Sequence, residues 1–207
     1  MARAAWPLRL SKGLVFVACL YPVGRWLWLG THGELSANPP EFLIRSSGIW
    51  ALVALWLTLC ATPLRRLLDW PGAIRYRRML GLYAFFYTVL HVLAWGWWDR
   101  GGNWGAMWRD VWQRDFILIG TLAVLCLVPL AATSTQGWVR RLGRNWRRLH
   151  TLVYPAAVLS VLHFYLMRAG KNDFAEPHAY ALALAALLGL RLWWRARSAR
   201  RDGQSAR

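Results

Sequence analysis

The chain combines 207 residues, 57% of them hydrophobic and 16 of them Trp, with a formal net charge of +17. Disordered basic tails lack such aromatic content, and soluble nucleic-acid-binding domains lack apolar runs of about 20 residues. Runs of that length span the ~30 Å hydrocarbon core of a bilayer. The composition therefore predicts an integral membrane protein, and the length predicts one membrane domain over residues 1–207.

Six apolar runs are predicted to be membrane-spanning helices joined by short connections. They are continuous stretches of Leu, Ala, Val and Trp, whereas barrel strands would alternate apolar and polar residues. The sixth run is short and carries Arg191. The predicted fold class is all-α, an integral membrane six-helix bundle. The predicted spans are 13–29, 46–64, 79–98, 116–131, 149–167 and 178–194.

Basic residues are distributed unevenly between alternate connections. With a cytoplasmic N-terminus, the inner segments hold 19 basic residues against two acidic ones, and the outer segments hold seven of each. Cytoplasmic segments of membrane proteins are enriched in Lys and Arg, so both termini are predicted to be cytoplasmic. Topology control and anionic lipid account for the charge, and no nucleic-acid partner is predicted.

Tryptophans are predicted to mark the outer membrane interface, where their rings favour the headgroup level. Trp104, Trp108 and Trp112 recur every four residues, which predicts one face of a short helix lying in the headgroup layer. Other tryptophans close the first and third spans. They are Trp26, Trp28, Trp95, Trp97 and Trp98.

Three of the five histidines, His91, His150 and His163, lie within the predicted spans, where an ionisable side chain is a functional candidate. His91 and His163 are 12 and 14 residues from the starts of two parallel spans, or about 18 and 21 Å of helical rise. Their imidazoles are therefore predicted to face each other at one level. His32 and His178 fall at outer span ends.

Two imidazoles from neighbouring helices can ligate a transition metal or both axial positions of a haem. A bare metal normally recruits further Cys, Asp or Glu ligands, and these helices provide none nearby. Haem needs only two protein ligands, so the spacing predicts a membrane haem protein. Aromatic residues on the same spans suit a porphyrin. They are Tyr83, Phe85, Phe86, Tyr87, Tyr154, Phe164 and Tyr165.

His150 precedes His163 by 13 residues, about 20 Å along a helix, and suggests a second haem near the cytoplasmic side. Thirteen residues leave the two imidazoles off a common helix face. The position level with His150 on span three is Arg77 or Arg78. An inner haem would therefore have one His ligand and an exchangeable or vacant opposite side, and the haem count stays open.

Several segments between residues 38 and 164 together resemble one protein family. They are Asn38-Pro39-Pro40-Glu41 with Arg45, Gly48-Ile49-Trp50-Ala51-Leu52, Thr62-Pro63-Leu64, Arg77-Arg78-Met79-Leu80-Gly81-Leu82 leading to Leu90-His91, Thr133-Ser134, and Trp146-Arg147-Arg148-Leu149-His150 through Tyr154 to His163-Phe164. The chain resembles the MsrQ family, formerly called YedZ, within the ferric-reductase-like transmembrane group. These proteins are haem-binding membrane subunits of bacterial periplasmic methionine-sulfoxide reductase systems.

The resemblance implies a ferric-reductase-like transmembrane haem domain in the bacterial inner membrane that conducts electrons. In that family the subunit binds b-type haem, is reported to bind FMN, and takes electrons from the quinone pool or a cytosolic flavin reductase. It passes them to a periplasmic molybdenum enzyme that reduces methionine sulfoxide in oxidised envelope proteins. The wider group often has four histidines on these two helices, whereas this chain has three.

The resemblance also implies that five arginines could contact a cofactor and that the chain needs no catalytic group. Arg45 near the outer level, and others near the inner level, can pair with haem propionates or flavin phosphate, although snorkelling or topology control explains each equally well. No motif locates FMN. Because the cofactor does the redox chemistry, no catalytic acid or base is expected. The inner arginines are Arg77, Arg78, Arg147 and Arg148.

Related oxidases carry a cytoplasmic nicotinamide and flavin domain, whereas only residues 195–207 follow the last predicted span. The chain is therefore expected to take electrons from a separate donor protein or from quinol.

Three other functions compete with this interpretation. A stand-alone transmembrane ferric or quinone reductase would use the same His pair. A six-helix proton-coupled transporter would use His91 and His163 as a proton relay, and a structural membrane partner would only pack them.

Overall fold

The computed structural model describes residues 6–170 and 172–205, and every element in this part of the chain is helical. The all-α prediction is confirmed. The parts of the charge tally that rest on Arg3, Lys171 and Arg207 lie outside the described residues. The helices are α1 (Trp6–Thr31), α2 (Pro39–Leu67), α3 (Arg77–Ala94), α4 (Trp104–Gln113), α5 (Asp115–Ala132), α6 (Gln136–Leu142), α7 (Arg144–Leu149), α8 (Val153–Ala169) and α9 (Ala175–Ser205).

Short segments of tighter or wider helix connect some of these elements. A 3₁₀ segment, Pro71–Tyr76, leads into α3, and a π-helical segment, Trp95–Asp99, follows it. A second 3₁₀ segment, His150–Leu152, joins α7 to α8. Such segments are common where a helix begins, ends or changes direction, and the third one contains a candidate ligand.

Five helical stretches of the described chain are long and apolar enough to cross a membrane. The chain is therefore a multi-pass membrane protein. Helix α9 contains the predicted sixth span but is not among the five. The six-span count and the cytoplasmic placement of the termini thus stay predictions. The five stretches are Arg9–Thr31, Pro39–Leu67, Pro71–Asp99, Asp115–Ala132 and Arg144–Ala169.

The chain divides into two compact units, each described here by itself. The first contains the residues up to Thr58 together with Tyr76–Asp110. The second contains Leu59–Arg75 and the residues from Val111 onward. The first unit therefore includes α1 and α3, and the second includes α5, α8 and α9.

In the first unit, α3 is fastened to α1 by two tyrosine hydroxyls. Tyr83 Oη donates to the carbonyl oxygen of Phe16 at 2.9 Å, and Tyr87 Oη donates to that of Cys19 at 2.5 Å. The Tyr87 side chain is fully buried. Because these hydroxyls are bonded to α1, two of the aromatic residues predicted to suit a porphyrin instead join helices.

The tryptophans differ in their surroundings. Trp104, Trp108 and Trp112 lie on α4 and are 80%, 65% and 63% exposed, which confirms the predicted short helix with one aromatic face. Trp28 is also exposed. Trp26 differs from these residues, because its ring is buried and its Nε1 donates to Ser46 Oγ at 3.0 Å. A buried Trp needs a hydrogen-bond acceptor, and α2 supplies it. The interfacial position of the tryptophans stays a prediction.

In the second unit, α8 packs against α5 and α9. Arg191 of α9 is buried, donating from Nη1 to Tyr154 Oη at 2.7 Å and from Nη2 to the Leu59 carbonyl oxygen at 2.6 Å. The planar guanidinium can satisfy both acceptors at once. The charged residue that interrupts the sixth apolar run therefore serves as a hydrogen-bond donor between α9, α8 and the end of α2.

Candidate haem-ligand site

His91 lies on α3 in the first unit and is held by a carbonyl of α2. Its Nδ1 is 2.8 Å from the carbonyl oxygen of Ile44. A carbonyl oxygen can only accept, so His91 Nδ1 carries the proton and donates. In a neutral imidazole the lone pair then resides on Nε2, the nitrogen through which this tautomer can ligate a metal.

His163 lies on α8 in the second unit and is held in the same way. Its Nδ1 is 2.5 Å from the carbonyl oxygen of Phe116, the second residue of α5. The Phe116 ring is tilted against the imidazole, with 6.0 Å between the ring centroids. His163 therefore has the same tautomer as His91, with its lone pair on Nε2.

The hydrogen bond from Nδ1 to a backbone carbonyl is the arrangement expected of a histidine that ligates a metal through Nε2. Such residues almost always donate their other ring N–H to a carbonyl or carboxylate, which fixes the tautomer and ring orientation and raises ligand basicity. Both His91 and His163 meet this condition within their own units. Their chemistry fits two axial haem ligands, and their facing each other at one level stays a prediction.

A bare metal site has less support in the described residues. Within residues 6–170 and 172–205, no three His, Cys, Asp or Glu side chains are grouped in a way that would hold a metal ion. A haem requires protein side chains only at its two axial positions.

His150 lies at the start of the 3₁₀ segment in the second unit and has different partners. Its Nε2 is 3.1 Å from Thr133 Oγ1, and its ring stacks on Trp146 with 3.9 Å between centroids. Trp146 Nε1 in turn donates to the Thr133 carbonyl oxygen at 2.9 Å. The hydrogen bond of His150 to a side chain therefore involves Nε2, whereas the carbonyl hydrogen bonds of His91 and His163 involve Nδ1.

The other two histidines lie at helix ends. His32 Nδ1 is 2.8 Å from the Trp28 carbonyl oxygen, just beyond the end of α1. His178 lies near the start of α9, among the rings of Tyr165 and Phe174. Both imidazoles are exposed, so they suit the role of control positions.

The five candidate arginines lie on the surface of their units or close to it. Arg45 pairs weakly with Glu41 on the same helix, at 3.7 Å between Nη1 and Oε1. Arg77 is half-buried, whereas Arg78, Arg147 and Arg148 are exposed. Their contact with propionates or a flavin phosphate stays a prediction.

Four residues at the histidines were not predicted: Ile44 and Phe116, which supply the carbonyls, and two glycines against the rings, Gly48 and Gly120. The sequence does contain a signal for the two glycines. The pattern Gly-x-x-Ala-x-x-x-Leu begins at Gly48 and again at Gly120. Each pattern is followed at the same distance by Val-Leu-His, which ends at His91 or His163.

Residues 47–161 match the family described as "Ferric reductase like transmembrane component". A relative from Bordetella pertussis, named "Protein-methionine-sulfoxide reductase heme-binding subunit MsrQ", is 54% identical over 192 residues, covering 92% of this chain and 93% of the relative. The chain belongs to the MsrQ family. Relatives of the same name from Ralstonia nicotianae and Rhodospirillum rubrum are both 50% identical, covering 93% and 89% of this chain and 89% and 88% of their own. No solved structure matches the chain.

Membership of the MsrQ family confirms the family resemblance seen in the sequence. The matched stretch includes both Gly-x-x-Ala-x-x-x-Leu patterns, His91 and His150. The alignments with the MsrQ relatives cover about nine-tenths of this chain. His91, His150 and Phe116 therefore lie within the stretch that matches the family, whereas Ile44 and His163 lie just outside it.

Proposed function

We propose that this chain is the membrane haem-binding, electron-transfer subunit of a bacterial methionine-sulfoxide reductase system. The observation that carries the proposal is the shared state of His91 and His163. Each donates Nδ1–H to a helix carbonyl, so each presents an Nε2 lone pair, in a chain 54% identical to a named haem-binding subunit. We assign these two residues as the axial ligands of one b-type haem.

The haem, when bound, supplies one-electron redox chemistry, and the protein supplies ligation and electrostatics. The carbonyls of Ile44 and Phe116 hold the imidazole protons on Nδ1. They also make each ring a stronger electron donor through Nε2, which favours the oxidised iron. No residue of the chain needs to act as an acid or base toward the sulfoxide, because that reaction belongs to the partner.

The electron path that we propose runs through the bacterial cytoplasmic membrane. The donor is the quinone pool or a cytosolic flavin reductase, with FMN as a further cofactor. The acceptor is a periplasmic molybdenum-containing catalytic subunit that reduces methionine sulfoxide in envelope proteins. Arg45 on the outer side, and Arg77, Arg78, Arg147 and Arg148 on the inner side, are proposed to pair with propionates or flavin phosphate. His150 is the candidate ligand of a second, inner haem.

A reconstitution experiment tests this function. The purified chain in lipid vesicles is reduced with a quinol or with a flavin reductase and its reductant, and haem absorbance is followed by stopped flow. We expect reoxidation when the periplasmic catalytic subunit and a peptide containing methionine sulfoxide are added together, and little when either is omitted. The chain alone should oxidise NADH and NADPH negligibly.

The family match to ferric-reductase-like components makes a stand-alone metal reductase the second candidate. The same vesicles distinguish the two functions when a ferric chelate replaces the partner. Haem that stays reduced with active partner and sulfoxide, but reoxidises with the chelate, would favour the metal reductase. A chain without any haem spectrum would contradict both functions and return the proton-coupled transporter as the alternative.

A further inference from the structure

Two features of the environment of His91 recur around His163: the carbonyl that accepts from Nδ1 and the glycine against the ring. In both, Nδ1 donates to a carbonyl, and the residue four positions after that carbonyl is a glycine facing the ring. Each residue of the second set follows its counterpart by 72 positions. The pairs are Ile44 and Phe116, Gly48 and Gly120, and His91 and His163.

The repeat extends to the helices that carry the two histidines. Thr88 Oγ1 donates to the Ala84 carbonyl oxygen at 2.8 Å, one turn before His91. Ser160 Oγ donates to the Ala156 carbonyl oxygen at 2.8 Å, at the equivalent place before His163. These residues are also 72 positions apart, so each histidine belongs to one copy of the same two-helix arrangement.

Helix geometry explains why a glycine follows each carbonyl by four residues. In an α-helix the carbonyl of residue i accepts from the N–H of residue i+4, and its second lone pair stays free. Each Cα–Cβ bond leans toward the helix N-terminus, so the side chain at i+4 lies over that carbonyl. Glycine at i+4 leaves the carbonyl open to a donor from another helix, which here is an imidazole N–H. The Ile44 carbonyl also accepts from Ser47 Oγ of its own helix at 3.0 Å.

The space at both glycines is filled by the histidine ring. A carbon at the Cβ position of Gly48 would lie 3.1 Å from His91 Nδ1 and 3.2 Å from its Cε1. At Gly120 the corresponding distances to His163 are 2.7 and 3.0 Å. A Cβ at Gly48 would force the His91 ring to shift by a few tenths of an ångström. A Cβ at Gly120 cannot be accommodated without displacing the His163 ring.

We propose that Gly48 and Gly120 are positioning residues for the haem ligands, each exposing the helix carbonyl that orients and polarises the imidazole of His91 or His163. The assignment of those ligands rests on the proposed function. The glycines set the tautomer, the ring plane and the donor strength of Nε2. An alanine at either position pushes the ring away from its carbonyl, weakens the Nδ1–H hydrogen bond and makes the imidazole a poorer donor.

The test compares Gly48→Ala and Gly120→Ala with two matched controls, Gly24→Ala in α1 and Gly189→Ala in α9. Both control glycines are helical and have nothing within 4 Å of the Cβ position. Readouts are haem per chain, the EPR g values of the ferric protein, which follow ring orientation, and the midpoint potential. We expect Gly48→Ala to keep haem with altered g values and a raised potential. Gly120→Ala should lose most of its haem, and the controls should match the wild type.

A double-mutant cycle on the haem-free protein tests the contact between each glycine and its histidine ring independently of haem binding. Gly120→Ala should lower the thermal unfolding midpoint in the parent protein but not when combined with His163→Ala, because the clashing ring is then gone. Gly48→Ala with His91→Ala forms the second cycle. Rescue of folding by the histidine substitution supports the proposal even if Gly120→Ala alone fails to fold.

The outcomes separate the two levels of inference. Glycine variants that match the controls in g values and potential, while His91→Ala and His163→Ala lose haem, would overturn the positioning role and leave the proposed function intact. The positioning role would also be overturned if each Gly→Ala substitution lowered the unfolding midpoint equally in the presence and absence of the histidine side chain. A wild-type chain without haem would overturn the proposed function, and the cycles would still decide whether the glycines seat the rings.

Discussion

Thr133 Oγ1 and His150 Nε2 are 3.1 Å apart, and the threonine determines which of the two donates. The Thr133 hydroxyl is 2.6 Å from the Pro129 carbonyl oxygen, which can only accept, so its single proton is used there. His150 Nε2 therefore donates to Thr133, and the lone pair of the neutral ring lies on Nδ1. His150 has the opposite tautomer to His91 and His163.

His150→Ala is expected to act first on stability. Loss of the Thr133 hydrogen bond and of the Trp146 stacking should lower the free energy of unfolding by about 1–3 kcal/mol. The spectrum assigned to His91 and His163 should persist. Denaturant unfolding in detergent, with haem quantified per chain, measures both effects, and His178→Ala is the exposed control. A halved haem content with unchanged stability would instead show that His150 ligates an inner haem, after leaving Thr133 or through Nδ1.

His91→Ala and His163→Ala are each expected to abolish the low-spin bis-imidazole spectrum, because one axial position loses its Nε2 donor. Absorbance of the reduced and oxidised protein measures the loss. Added imidazole should partly restore the spectrum of His91→Gly and His163→Gly, because it can occupy the space that the side chain leaves. His32→Ala and His178→Ala should match the wild type. Two single ligand variants that both keep the full spectrum would contradict the assignment.

The orientation of the chain can be tested with reporter fusions. A C-terminal reporter active only in the cytoplasm should score positive, and the same reporter inserted near residue 103 should score negative, since the basic excess is predicted to lie on the inner side. A periplasm-active reporter at the same two sites is the control and should give the reverse. The opposite result at both sites would move His91 and His163 to the cytoplasmic half.

Tyr154→Phe is expected to destabilise the second unit through Arg191. The substitution removes the acceptor of Arg191 Nη1 and leaves a buried, charged donor short of one partner. The expected loss in the free energy of unfolding is about 1.5–3 kcal/mol, the range for a hydrogen bond to a charged group. Denaturant unfolding measures it against Tyr21→Phe, whose ring is exposed. Equal stability of the two variants would show that Tyr154 does not stabilise Arg191.

The sequence alone determined the features that depend on local pattern. Hydropathy over about 20 residues identified the helical stretches, and the four-residue spacing of Trp104, Trp108 and Trp112 identified α4. Position within apolar runs singled out His91, His150 and His163 among the five histidines as candidates. Each of these signals is carried by side chains a few positions apart, so no knowledge of packing was required.

Only the tertiary structure decided the partners of those side chains. Every helical residue has a carbonyl, so nothing in the sequence marks Ile44 and Phe116 as acceptors until the imidazoles are seen against them. The burial of Trp26 against Ser46 and the Thr133 contact of His150 were hidden for the same reason. The 72-residue repeat of glycine and histidine is visible in the sequence. Its meaning appeared only in three dimensions, because a missing Cβ matters when another helix brings a ring to that place.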